Sequence, residues 1–80
     1  MITAQQTRAA RALLGWTQEM LADRATVSLT ALKRMESVNG ERVFESTEDR
    51  VRRTLEAAGI VFINSGTQVG VMMDVSRKPR

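Results

Sequence analysis

A chain of 80 residues with no cysteine and no histidine forms one small domain that lacks disulfides, thiolate zinc clusters and the commonest general base. It also has no clustered carboxylates, so the sequence offers no nucleophile–base set, and we expect neither an enzyme nor a cofactor or metal site. Twelve basic and nine acidic residues give a formal charge of +3, which permits nucleic acid as a partner without establishing it.

The distribution of apolar residues predicts a cytoplasmic protein. No apolar run approaches the ~20 residues of a membrane span. The first residues lack the layout of a signal peptide. A core this small gains from burying more surface, and dimerisation is a natural way to do so.

The first two helices are predicted from a run of alanine, leucine and arginine and from two boundary residues. Residues 2–14 contain no helix breaker, and Gly15 is a typical helix end. Thr17 can then cap a second helix. The predicted inward stripe of the second helix consists of Met20, Leu21 and Ala25.

Two more helices follow along the chain. Ser28 can cap a third helix, which the sequence VNG at residues 38–40 ends. Ser46 or Thr47 can cap a fourth helix, which Gly59 ends. The predicted inward residues are Val27, Leu32 and Met35 in the third helix and Val51 and Leu55 in the fourth.

The last third of the sequence has the composition of β-structure. Residues 60–63 are β-branched or aromatic, NSGT is a turn, and residues 69–75 form a second extended run, which together predict a β-hairpin. A lone hairpin is marginal in water and exposes two edges, so we expect it to pack on the helices or to pair with another chain. The predicted organisation is residues 1–59 for the helices, residues 60–75 for the hairpin and residues 76–80 for a basic, flexible tail.

The stretch TQEMLADRATVSLTALKRMES, residues 17–37, predicts two helices joined by a tight corner. Its connection is short and made of small or apolar residues, as a helix-turn-helix requires. The outer face of the third helix carries two adjacent cations and two hydroxyls. Such a face suits phosphates and base edges, although charges on an exposed helix are more often simply solvated.

The segment LGWTQEMLADRATVSLTALKRMESVNG resembles the lambda-repressor-type (Xre/Cro) helix-turn-helix, whose usual form is LGxTQxxLAxxxGVSxxTIxxxExG. The resemblance covers residues 8–40. The residues after it are similar to short bacterial Xre regulators that replace the usual fifth helix with a strand or hairpin. It implies a mainly α fold, with a four-helix lambda-repressor-like domain followed by a C-terminal β-hairpin. One position departs from the pattern, because Thr26 stands where the family has the glycine of the turn, and a threonine there requires a negative φ or some strain.

The resemblance implies a transcriptional regulator that binds a double-stranded DNA operator. Gln18 would contact the DNA backbone and brace a side chain of the recognition helix, and Leu29 would meet a thymine methyl group. Arg34 is the best candidate for reading sequence, because a guanidinium can hold guanine O6 and N7 together, worth ~1–3 kcal/mol of discrimination. The full set of implied DNA-binding residues is Gln18, Ser28, Leu29, Thr30, Lys33, Arg34, Ser37 and Arg42.

Other positions of the motif have roles that are not DNA contacts. Arg11 and Glu36 lie where the family has an internal salt bridge between the first and third helices. Trp16, just before the cap, is expected to pack at the corner of the first two helices. Glu19 and Asp23 form an acidic i, i+4 pair that touches RNA polymerase in some lambda-type repressors, and the alternative is a solvated face.

One recognition helix reads only a few base pairs, so we expect a homodimer on an inverted repeat with half-sites about one helical turn (~34 Å) apart. Pairing of two hairpins across a two-fold axis would hide their edges. The alternative is dimerisation through the fourth helix and the loop before it. The residues expected at the hairpin interface are Ile60, Phe62, Val69, Val71 and Met73.

A second function remains open beside transcription control. Many small Xre domains are antitoxins or adaptors that bind a protein and also repress their own operon, although such antitoxins often carry a long disordered extension. No small-molecule inducer and no membrane is implied. The analogy with the family places the protein in bacteria, a phage or a mobile element.

Overall fold

The computed structural model describes residues 2–39 and 41–76, which form four α-helices and then a two-stranded antiparallel hairpin. The mainly α architecture with a C-terminal hairpin is therefore confirmed at this level. Ser76 is the only described residue of the predicted basic tail. Residues 77–80 and Gly40 lie outside the described residues. The elements are α1 (Ala4–Leu14), α2 (Gln18–Ala25), α3 (Leu29–Met35), α4 (Glu45–Ala57), β1 (Ile60–Ser65) and β2 (Gln68–Met73).

Hydroxyl side chains cap the first three helices, as residues of this type do when they precede a helical segment. The hydroxyls of Thr17 and Ser28 accept hydrogen bonds from the backbone N–H groups of Met20 and Ala31, at 3.1 and 3.0 Å. α1 starts two residues later than predicted, because Thr3 is its N-cap. Gly15 and Gly59, which were predicted to end the first and fourth helices, both have positive φ.

The predicted start of α4 is wrong. The N-cap is Phe44, and neither Ser46 nor Thr47 occupies that position. Phe44 makes no side-chain cap hydrogen bond within the described residues, and only its carbonyl accepts from the N–H groups of Thr47 and Glu48. The acidic first turn, which includes Glu45, compensates the helix dipole instead.

The core consists of buried residues from all four helices, and the hairpin packs against it. Leu21, Leu32 and Leu55 are fully buried there. Met20 was predicted to face inward and does not, because the buried stripe of α2 is Leu21, Ala22 and Ala25, and Met20 is turned to solvent. None of the helices in the described part of the chain is long and apolar enough to cross a membrane.

The hairpin is anchored on α1 by one buried glutamine. Gln6 forms a capping box with Thr3, with distances of 3.0 and 2.9 Å, and its Nε2 donates to the carbonyls of Ile63 and Gly70 at 3.1 and 3.0 Å. Ile63 and Gly70 are partners in the β-ladder, so this one amide group contacts both strands. The strands include Asn64 and Ser65 and end at Met73, so the predicted strand ends are wrong by two residues each.

Candidate nucleic-acid interface

The corner between α2 and α3 consists of Thr26, Val27 and Ser28. Thr26 is left-handed, with φ 57° and ψ 47°, and it is the one residue other than glycine with positive φ among those described. A threonine at this position was expected to have either a negative φ or a strained backbone. The strained backbone is found, and the left-handed conformation costs ~1–2 kcal/mol. The Nη1 atom of Arg50 on α4 donates to the Thr26 carbonyl at 3.1 Å and so ties the corner to α4.

The outer face of α3 is exposed and positively charged. Thr30, Lys33 and Arg34 share one helical stripe and are all exposed. Neither cation lies within ion-pair distance of a carboxylate in residues 2–39 and 41–76. Their charges are therefore available to an anionic partner.

Three of the other implied DNA-contact residues make interactions within the chain itself. The Ser28 hydroxyl caps α3 and is exposed. Leu29 is half-buried and packs against the core, so only part of its side chain can meet a base. Ser37 lies beyond the end of α3, where its hydroxyl accepts from the Glu41 backbone N–H at 3.5 Å.

Glu36, the C-cap of α3, joins three helices at a buried point and is only 4% exposed. Its carboxylate accepts from Nε and Nη2 of Arg11, at 2.8 and 2.7 Å, and from Nε2 of Gln18 at 3.1 Å. Its backbone carbonyl accepts from Arg8. The hydrogen bond to Glu36 raises the pKa of Arg11, with partial burial acting in the opposite direction. Gln18 is thus half-buried and occupied by Glu36 at the start of α2, which leaves its second amide hydrogen for another acceptor.

A cleft of about 770 Å³ separates the corner and α3 from the start of α4. Three arginines line it, Arg34 from α3, Arg42 from the loop and Arg50 from α4, together with several hydroxyls, and no carboxylate is among the lining residues described. This arrangement concentrates positive charge beside the exposed face of α3.

Arg50 is not among the DNA-binding residues predicted from the sequence, although the sequence indicates that its charge is unpaired on the helix. Its neighbours at i−4 and i+4 are Ser46 and Thr54, so no acid can pair with it along the helix. Arg52 and Arg53, by contrast, pair with Asp49, and Arg52 also with Glu56.

The loop before α4 exposes two large apolar side chains. Phe44 at the mouth of the cleft is 83% exposed, and Val38 is 92% exposed. Phe44 lines the cleft, whereas Val38 is not among the lining residues described.

The remaining motif residues are distributed over other surfaces. Trp16 is buried, and the Arg24 guanidinium lies 4.3 Å from the centre of its ring. Glu19 and Asp23 are exposed on α2 and form no ion pair within the described part of the chain. No cluster of three potential metal ligands occurs among the residues described.

The hairpin turns most of the expected interface residues toward its own chain. Ile60 is 2% exposed and belongs to the core, which leaves its side chain no surface to offer a second copy. Phe62, Val71 and Met73 lie on the same face and pack against that core, while Val69 is exposed. The sequence marked these residues as apolar, but it could not say that the chain's own core covers most of them. The outward face carries Val61 and Met72, which are cross-strand neighbours.

No protein-family model matches the chain, and no curated protein matches it either.

Proposed function

We propose that the chain is a lambda-repressor-like (Xre/Cro) transcriptional regulator that binds a specific DNA operator as a homodimer on an inverted repeat. The observation that carries the proposal is the exposed stripe of Thr30, Lys33 and Arg34 on α3, which borders a cleft lined by three arginines. An unpaired positive surface that continues from a helix into a neighbouring cleft suits the phosphate backbone of a duplex.

In this proposal α3 enters the major groove. Arg34 reads guanine through O6 and N7, and Lys33 contacts phosphate. The chemistry is binding and not catalysis, and repression of the protein's own promoter is the proposed output. The exposed acids Glu19 and Asp23 are candidate contacts to RNA polymerase.

The corner and the Glu36 cluster set the position of α3 against the other helices. Arg50 holds the corner from α4, and Arg11 with Gln18 holds the C-terminal end of α3 through Glu36. A helix that is fixed at both ends keeps its side chains in register with base edges, which supports sequence-specific rather than merely electrostatic binding.

The test is a gel shift at near-physiological salt on DNA from immediately upstream of the protein's own gene, with a scrambled duplex as competitor. The variants are Arg34→Ala and, as a matched control, Arg53→Ala, which removes an arginine from α4 that pairs with Asp49. We expect competitor-resistant binding by the wild type, a loss of about 10-fold or more in Arg34→Ala, and no change in the control. Equal competition by scrambled DNA, with both variants like the wild type, would contradict the proposal.

A further inference from the structure

We propose that the DNA interface continues across the cleft to the start of α4, where Arg50 contacts a backbone phosphate and the Phe44 ring packs against the neighbouring sugars. This inference rests on the proposed function and extends it. It assigns DNA contacts to two residues that the helix-turn-helix pattern does not mark.

Phe44 violates two local preferences at once. Helix N-caps favour Ser, Thr, Asp and Asn, because their side chains accept a hydrogen bond from the first turn, and phenylalanine cannot do so. Its ring is also almost fully in solvent, so it gains no burial in the free chain. A residue that is unfavourable in the free protein both as a cap and as an exposed ring is typical of a functional position.

The charges around Phe44 indicate what covers it. Arg11, Arg52 and Arg53 are ion-paired, and Arg24 lies over Trp16. The arginines of the cleft, in contrast, have no carboxylate within ion-pair distance among the residues described. An apolar ring at the mouth of a cleft with three uncompensated positive charges fits a nucleic-acid backbone, which offers apolar sugar faces between phosphates.

Arg50 has the geometry for a double role. One of its terminal nitrogens, Nη1, is bound to the Thr26 carbonyl, which fixes the side chain across the cleft. A guanidinium has five N–H donors, so others remain for a phosphate. The same side chain therefore holds the corner that orients α3 and stands beside the bound backbone.

The experiment measures binding of two fluorescently labelled duplexes by anisotropy across a series of NaCl concentrations. One duplex is the DNA upstream of the protein's own gene, and the other has mixed sequence. The variants are Phe44→Ser, Arg50→Gln and Arg50→Lys, and Val38→Ser is the matched control from the same loop. Thermal unfolding is recorded for each variant.

Phe44→Ser is expected to raise Tm by a few degrees, because serine can cap α4. It should nevertheless weaken binding to both duplexes by about 5- to 10-fold, because the ring is no longer buried against the sugars. Val38→Ser should leave affinity unchanged. Arg50→Gln should reduce the slope of log K against log salt by about 1, whereas Arg50→Lys should keep it.

The outcomes separate this inference from the proposed function. If wild type binds DNA and Phe44→Ser binds equally well, or loses affinity only together with Tm, the extended interface is wrong while the regulator stands. An unchanged salt slope in Arg50→Gln would remove the phosphate contact. If wild type binds neither duplex, the proposed function itself fails, and the inference fails with it.

Discussion

At the scale of single residues, Thr26 and Gly15 occupy the same position at the ends of α2 and α1 but differ in their side chains. Both end a helix in the left-handed conformation, with φ values of 57° and 69°, but a β-branched side chain resists that geometry. We expect Thr26→Gly to raise the free energy of unfolding by about 0.5–1 kcal/mol, after allowance for the greater freedom of glycine in the unfolded chain.

Urea denaturation followed by circular dichroism measures this gain. Thr26→Ala, which keeps Cβ but removes the branch, should gain less than Thr26→Gly. The reverse change, Gly15→Ala, should lose about 1 kcal/mol. Arg50 donates to the backbone carbonyl at this position, which glycine keeps, so a glycine variant no more stable than wild type would contradict this account of strain at Thr26.

The Glu36 carboxylate joins α3 to α1 and α2 through Arg11 and Gln18. Glu36→Gln keeps the shape but leaves Arg11 without its anion and turns one acceptor into a donor that faces other donors. We expect a loss of about 1–3 kcal/mol in the same urea measurement. Glu41→Gln, at an exposed glutamate, is the control and should change stability by less than about 0.5 kcal/mol. Equal midpoints for the two variants would contradict this account.

At the scale of elements, Gln6 determines whether the hairpin stays on the helices. Gln6→Met is similar in size, but it removes both donors to the Ile63 and Gly70 carbonyls and the acceptor of the capping box. We expect a loss of about 1–3 kcal/mol. Hydrogen exchange should speed up more in the β1 and β2 amides than in α4, because the hairpin opens first. Uniform acceleration across all elements would mean that Gln6 stabilises the fold as a whole and not the hairpin in particular.

The elements that the sequence predicted well are those with local signals. Thr17 and Ser28 mark helix starts, and Gly15 and Gly59 mark ends, because capping and left-handed termini depend on one residue and its neighbours. The start of α4 at Phe44 carries no such signal. Asn64 and Ser65 enter a strand only because pairing with β2 decides it. Arg50 becomes part of the candidate interface only when the fold brings α4 beside α3.

At the scale of the whole molecule, the chain leaves an apolar surface on the hairpin and unpaired strand edges. Val61 and Met72, 46% and 55% exposed, are cross-strand neighbours on the outward face. Within the described residues the sheet has only two strands, so each strand keeps one edge without a partner strand. Exposed apolar residues beside open edges favour pairing with a second copy.

If two copies pair through the hairpin, substitutions on its outward face and on its core face should have different effects. Met72→Lys should convert the proposed dimer to a folded monomer, because it puts a charge on the outward face. Sedimentation equilibrium measures the oligomeric state, and circular dichroism measures the folding. Val71→Lys should instead reduce stability, because Val71 packs against the chain's own core. Val38→Lys, in the loop before α4, should leave a hairpin dimer intact. If Met72→Lys remains a dimer and Val38→Lys becomes a monomer, the two copies meet through α4 and its preceding loop.

A monomeric Met72→Lys should also bind a single half-site as the wild-type subunit does but lose the added affinity of the inverted repeat, since a second recognition helix is no longer held beside the first.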